Sequence, residues 1–260
     1  MRPLITLITD FGLRDYFVGA MKGAMLSVHP DVDIVDISHQ IGSQDVLEAA
    51  FTLRCAYHAF PPHTIHVVVV DPGVGSDRRA LIVSTAGHLF VGPDNGVFSL
   101  IHDSETVERV ISITADRYFR KPVSPTFHGR DIFGPVAAWI SRGVELGRFG
   151  EEISDCSRLT LPGWKRETDR VIRASVLHVD KFGNLITSIS AADLQMGAIS
   201  KVAVGGREIS RMVHGYFEET GGEPFTLVGS AGFYEIGVFG SSAAELLRVQ
   251  RGAEILVYLR

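Results

Sequence analysis

The sequence predicts an α/β N-terminal domain with a mainly parallel sheet, followed by a smaller all-β, barrel-like C-terminal domain. Three observations carry this. Through the first half, apolar runs of strand length alternate with segments whose apolar residues recur at helical spacing. From Val171 onward the segments are short, β-rich and punctuated by glycines, as at Gly205-Gly206 and Gly221-Gly222. Between them, "EEISDCSRLTLPGWKRETD" is polar and irregular, and reads as a linker. The boundary falls in 151–169, giving an α/β domain over residues 1–160 and a barrel domain over 170–260.

The elements follow in order. "LITLIT" is a strand, and "DYFVGAMKGAMLSVHP" is a helix stopped by Pro30. "VDIVDIS" is a strand. "SQDVLEAAFTLRCAYHAF" is a helix with Ser43 or Asp45 as N-cap and Pro61-Pro62 as terminator. "TIHVVVV" is a strand apolar enough to be buried on both faces. "ALIVSTAGHLFVGP" reads as two short strands around Ala86-Gly87. "DIFGPVAAWISRG" is a helix with Pro135 in its first turn. In the second domain, "VIRASVLHVD", "NLITSIS", "KVAVGG", "PFTLVG", "FYEIGVFG" and "EILVYL" are strands.

Composition excludes several classes. The formal net charge of -5 offers no basic surplus for nucleic acid. No apolar run reaches membrane-spanning length, and the N-terminus lacks a signal-peptide pattern. Two cysteines, Cys55 and Cys156, make no disulfide framework, so the expectation is a cytoplasmic protein.

Acids and unusual turns gather at strand ends, where open α/β sheets bind ligands. Asp10 follows the first strand, Asp71 ends the valine run, and "GPDNG" closes another. Asp10 and Asp71 suit a shared crevice, and a strand-end acid can accept ribose hydroxyls; the plainer alternative is that each caps the following element. "VDPGVGSDRR" lacks the spacing of a phosphate loop, and no helical pattern follows it. Its glycines suit a reversal that returns Arg78 or Arg79 to Asp71, against the alternative of a surface ion pair. His128, in the Pro/Gly-rich "SPTFHGRDIFGP", differs from the other nine histidines in entering a helix between Phe127 and Gly129. A zinc site from Asp71 and His128 has no ligand spacing to support it. In "VDKFGNLITSI", the turn presents Phe182 beside Asp180 and Asn184, an aromatic and an amide suited to an adenine ring. "GSAGFYEIGVFGSS" is a glycine-laced strand that a ligand can approach closely.

"ITDFGLRDYFVGAMKG", "VVDPGVGSDRRA", "VGPDNGVF", "TFHGRDIFGPVAA" and "DKFGNLIT", in that order, resemble the SAM hydroxide adenosyltransferase (S-adenosyl-L-methionine hydrolase) family, relatives of the fluorinase and chlorinase enzymes. The resemblance implies an α/β domain joined to a β-barrel, and a homotrimer with sites at subunit interfaces. It implies an Asp-Arg-His set holding a water, falling on Asp71, Arg78 and His128; the family's seven-residue spacing selects Arg78. It further implies that Asp10 holds the ribose hydroxyls, and that Asp15 and Asp180 face the amino group of the methionine part. Phe182 and Asn184 would contact adenine, with Ser230, Phe239 and Gly240 on the remaining substrate-binding strand. Two positions depart from the pattern. Asparagine is common where Phe239 stands, and halogenases often carry arginine where this chain has Ala231.

The activity so implied is hydrolysis of S-adenosyl-L-methionine to adenosine and L-methionine by in-line attack of water on C5′, without metal or cofactor. Asp71 or His128 would be the base. Halogenation is the nearest alternative, but a carboxylate at position 71 repels a halide. A non-catalytic adenosyl-ligand binding protein is the other.

Overall fold

The computed structural model describes residues 2–260, and the chain divides into two compact units, Met1–Leu159 and Thr160–Arg260. In the first, the elements are β1 (Leu4–Thr9), α1 (Phe17–Val28), β2 (Asp33–Ser38), α2 (Val46–Ala56), β3 (Ile65–Val69), β4 (Ala80–Thr85), β5 (Leu89–Pro93), α3 (Ser99–Ser104), β6 (Val107–Ile113), α4 (Gly134–Ser141) and β7 (Gly150–Glu152). They form one sheet in the order β2-β1-β3-β5-β4-β6-β7. β1 pairs parallel with β2 and β3, and β3 with β5; β4 is antiparallel to β5 and β6, and β7 to β6. Five of the seven strands, β1, β2, β3, β5 and β6, therefore run the same way.

β3 explains the valine run. Val67 and Val69 pack with Met21 and Met25 of α1 and Val136 and Ala137 of α4. Val68 and Val70 pack on the other face with Ala49 and Leu53 of α2 and Ile101 of α3. A strand with helices on both faces has no polar side to offer, so alternation gives way to continuous apolar residues. The same two-residue period directs Asp71 toward the α1/α4 face.

Among the helix signals, Asp45 rather than Ser43 is the cap of α2: its side chain accepts from Glu48 N–H at 3.0 Å. Pro135 sits in the first turn of α4. α4 starts later than expected, because Gly129–Phe133 forms a π-helical turn before it.

The second unit contains β8 (Lys165–Thr168), β9 (Val171–Val179), β10 (Leu185–Ser190), β11 (Ile199–Val204), β12 (Arg207–Ile209), β13 (Pro224–Val228), β14 (Phe233–Val238), α5 (Ala243–Leu247) and β15 (Glu254–Leu259). Their order is β12-β11-β15-β9-β10-β14-β13, with β8 beside β9, and every pairing of these strands is antiparallel. After β12 the chain returns to β13: Thr226 N–H donates to Arg211 O and Val213 N–H to Thr226 O, each at 2.9 Å. This nearly closes the sheet into a barrel and leaves few unpaired edge groups. Ile172, Val176, Leu185, Ile236 and Ile255 form part of its core.

The segment read as a linker carries structure at both ends, β7 and β8. All four residues of β8 are exposed, so it has no apolar alternation to reveal it. Among the described residues, no helix is long and apolar enough to cross a membrane.

Candidate active site

The chain reverses after Asp71. Val74 N–H donates to Asp71 O at 3.2 Å and Ser76 N–H to Gly73 O at 3.0 Å. Gly75 has φ +80, and a Cβ there would lie 2.3 Å from Pro125 O. Only glycine permits both this conformation and this approach. The reversal thus packs against the loop before His128, and brings Arg78 back.

Arg78 Nε donates to Asp71 Oδ1 at 2.9 Å and to Oδ2 at 3.0 Å, and Nη2 makes a third, short bond to Oδ2. Nη2 also lies 2.7 Å from His128 Nδ1. The side chains of Arg78 and Asp71 are only 11% and 5% exposed, so this is no surface ion pair. The guanidinium lies over the Phe133 ring at 5.1 Å, which fixes its plane. Arg79 turns elsewhere, to Asp94 at 2.7 Å and Asp155 at 2.8 Å.

The hydrogen bond to Arg78 defines the state of His128. A guanidinium only donates, so Nδ1 must accept, and the proton of the neutral ring is on Nε2. Burial, then the Arg78 charge, hold the His128 pKa below its ordinary value, against the opposing pull of Asp71 and Asp131. The imidazole is therefore neutral near pH 7, an Nε2 donor.

The His128 loop is anchored by Asp131, which is fully buried. Its carboxylate accepts from Arg130 Nε at 2.7 Å, Arg130 Nη2 at 2.8 Å, Arg120 Nη1 at 3.2 Å and Ser124 N–H at 2.9 Å. Burial alone would raise its pKa, but these donors outweigh that and hold it below the usual carboxylate range.

Asp10 is not a cap for α1. Its Oδ2 accepts from Gln44 N–H at 2.8 Å, and Gln44 has φ 64, a left-handed conformation uncommon for its type. The end of β1 is braced beneath it: Thr9 Oγ1 lies 2.8 Å from His39 Nδ1 and accepts from Phe11 N–H at 3.2 Å. Asp10, Gln44, Asp71, Thr126 and His128 all line one pocket of about 140 Å³. Asp15 is exposed in the bend before α1 and is not among that pocket's lining residues.

The second unit holds a larger pocket of about 860 Å³. Asp180, Phe182, Asn184, Ser230, Phe239 and Gly240 all line it. Phe182 is 75% exposed at the turn, and Phe239 is also exposed, whereas Asn184 is buried. Asp180 Oδ1 accepts from the N–H groups of Phe182 and Asn184, both at 2.9 Å, and Oδ2 from Asn184 Nδ2 at 2.8 Å. The same pocket contains Tyr216 and Glu235, whose hydroxyl and Oε1 are 2.5 Å apart.

Sequence reasoning did not single out Gln44, Asp131, Tyr216 or Glu235. Asp131 was visible only as a flank of His128; Glu235 and Tyr216 meet across 19 residues without any local motif. Among the described residues, no group of three or more His, Cys, Asp or Glu is arranged to hold a metal ion.

Residues 5–150 match the SAM hydroxide adenosyltransferase N-terminal domain, and residues 174–256 its C-terminal domain. An (R)-S-adenosyl-L-methionine hydrolase from Methanocaldococcus jannaschii is 36% identical, over 97% of this chain and 94% of that protein. A fluorinase from Nocardia brasiliensis is 26% identical, over 99% of this chain and 93% of that one. The crystal structure of an uncharacterized conserved protein from Thermotoga maritima superposes with a TM-score of 0.91 at 33% identity, covering 98% of this chain and 99% of the other. Spanning both domain matches and nearly the full length of its relatives, the chain belongs to the SAM hydroxide adenosyltransferase family.

Proposed function

We propose that the protein hydrolyses S-adenosyl-L-methionine to adenosine and L-methionine, with Asp71, Arg78 and His128 holding the attacking water. The observation that carries this reading is that Asp71 and His128, joined through Arg78, line one pocket with Asp10, while Arg78 itself is not among that pocket's lining residues. A sulfonium substrate needs little else. Its leaving group departs as a neutral thioether, so no acid, metal or cofactor enters the reading. What remains is to orient a nucleophile in line with the C5′–S bond.

In this reading the two candidate bases share the labour. His128 Nδ1 is committed to Arg78, so its Nε2–H donates to the water oxygen and orients it. Asp71 receives the proton: the water O–C5′ bond forms, the C5′–S bond breaks with its electron pair going to sulfur, and the proton passes to the carboxylate and then to solvent. Arg78 fixes Asp71 in place, and a substrate already activated by its positive charge needs little more.

In this reading Asp10 accepts from the ribose hydroxyls, Phe182 and Asn184 contact adenine, and Asp15 and Asp180 lie toward the amino-acid part with Ser230, Phe239 and Gly240. The reading also includes a homotrimer with sites at subunit interfaces and a cytoplasmic location. The likeness to (R)-S-adenosyl-L-methionine hydrolases extends the proposal to the (R) configuration at sulfur. An Asp71 carboxylate disfavours halide entry, which favours water over the fluorinase-like reaction.

The test is Asp71→Ala, incubated in metal-free buffer with each sulfonium epimer, with chloride and fluoride offered in parallel. Adenosine release by the parent protein and a fall of about 100-fold or more in the variant are expected. Unchanged release in the variant would refute the assignment, and a 5′-halo-5′-deoxyadenosine product would select the halogenase reading.

A further inference from the structure

The turn "GPDNG", residues 92–96, closes β5, and none of its residues lines the pocket of Asp71 and His128. β5 lies between β3 and β4, so the turn sits beside both ends of the Asp71 reversal. It holds each end with a side chain. Asn95 Nδ2 donates to Val70 O at 2.9 Å, and Asp94 Oδ2 accepts from Arg79 Nε at 2.7 Å. Asp94 N–H also donates to Arg79 O at 2.9 Å. The turn is braced from behind. Asp94 Oδ1 accepts from Ser157 N–H at 2.7 Å. Ser99 Oγ donates to Gly96 O at 2.6 Å and accepts from Leu159 N–H at 2.8 Å.

Of these contacts, the one from Asn95 bears on the carboxylate. Val70 is fully buried and lies one residue past the end of β3. Its carbonyl belongs to the planar peptide unit that ends at the Asp71 Cα, so the direction of that carbonyl sets where Asp71 begins. The Asn95 amide has one orientation. Its Oδ1 accepts from Val97 N–H at 3.2 Å, which leaves Nδ2 to face the carbonyl. A buried carbonyl deprived of its donor turns toward another, because staying unpaired is costly. Such a turn carries Asp71 with it, since Arg78 restrains only the far end of the side chain.

We infer that Asn95 is a positioning residue for the reaction: through the Val70–Asp71 peptide it sets the point from which the Asp71 carboxylate meets the water. The inference rests on the hydrolase reading above. It goes beyond that reading by giving a share in the rate to a turn that holds no substrate contact in it.

Three substitutions separate this role from support of the fold. Asn95→Asp keeps the shape and the acceptor for Val97 N–H, and loses the donor to Val70 O. Asn95→Ala loses that donor without adding a charge. Ser99→Ala removes the bonds to Gly96 O and Leu159 N–H from the same turn, but none to the Asp71 peptide. For both Asn95 variants the single-turnover rate of adenosine release from S-adenosyl-L-methionine should fall by about 10- to 100-fold, with KM within about twofold of the parent. For Ser99→Ala the rate should stay within about twofold, although its urea midpoint falls. Asn95 variants within about threefold of the parent rate, a parallel loss in Ser99→Ala, or a loss carried by KM overturn the inference and leave the hydrolase reading intact. So does failure of both Asn95 variants to fold, which makes Asn95 a support of the fold alone. A parent protein that releases no adenosine overturns the hydrolase reading, and the inference with it.

Discussion

Arg78→Lys tests whether geometry, rather than charge, makes the Asp71 set work. Lysine retains the positive charge, but a single ammonium cannot reproduce a planar fork. In the structure the fork makes three bonds to Asp71 and one to His128 Nδ1, and stacks on Phe133. Lysine reaches one or two of these partners. Charge-assisted bonds contribute about 1.5–3 kcal/mol each. With partial compensation by the ammonium, the stability loss should be near 2 kcal/mol, below the 3–5 kcal/mol typical of removing one member of a buried pair outright. Freeing Nδ1 also releases the tautomer, so His128 no longer presents a fixed Nε2–H. A misplacement of about 1 Å at the nucleophile costs about 100-fold in rate, equivalent to about 2.7 kcal/mol of barrier. Urea denaturation gives the first quantity and chromatographic adenosine release the second. Nitrogen-15 shifts of His128 should show the Nε2–H tautomer in the parent and a mixture in the variant. A variant with kcat within about threefold of the parent, or a parent ring protonated on Nδ1, would sink the argument.

Two other outcomes are expected. Gly75→Ala forces a side chain into a left-handed backbone and to 2.3 Å from Pro125 O; calorimetry should show a loss of at least about 1–2 kcal/mol, and adenosine release should fall because the His128 loop is displaced. Acid should destabilise the first unit through His66. Burial, then His88, push its pKa from 6.5 down to about 3, so between those values the unfolded chain binds a proton that the folded chain refuses. Its contribution is intact above pH 6.5 and is lost on acidification at roughly 1.4 kcal/mol per pH unit, about 2 kcal/mol by pH 5. Urea midpoints at pH 6.5 and 5 measure the loss, and His66→Gln should flatten the slope over that interval.

Much of the α/β unit was legible because its strands bury both faces and its helices carry caps and prolines. β3 and α2 show this: a run of valines admits no exposed side, and Asp45 marks the start of the next helix. α3 and β6 escaped notice for opposite reasons. α3 spans six residues, too few for a period to register, and β6 begins with largely exposed residues. That an arginine returns to Asp71 was readable because two glycines suffice for a reversal; the choice of Arg78 over Arg79 came from the family resemblance. The link from Arg78 to His128 spans 50 residues and depends on the Gly75–Pro125 contact, which no local pattern encodes. The Glu235–Tyr216 pair was hidden likewise, since each residue alone reads as an ordinary member of its strand or loop.

The two adjacent arginines after the Asp71 turn point to different acids, Arg78 to Asp71 and Arg79 to Asp94 and Asp155. Neighbours in the chain are thus no reserve for one another: losing either leaves a hole that its twin, already engaged and aimed the other way, has no route to fill. A duplicated letter in the sequence is here two separate commitments.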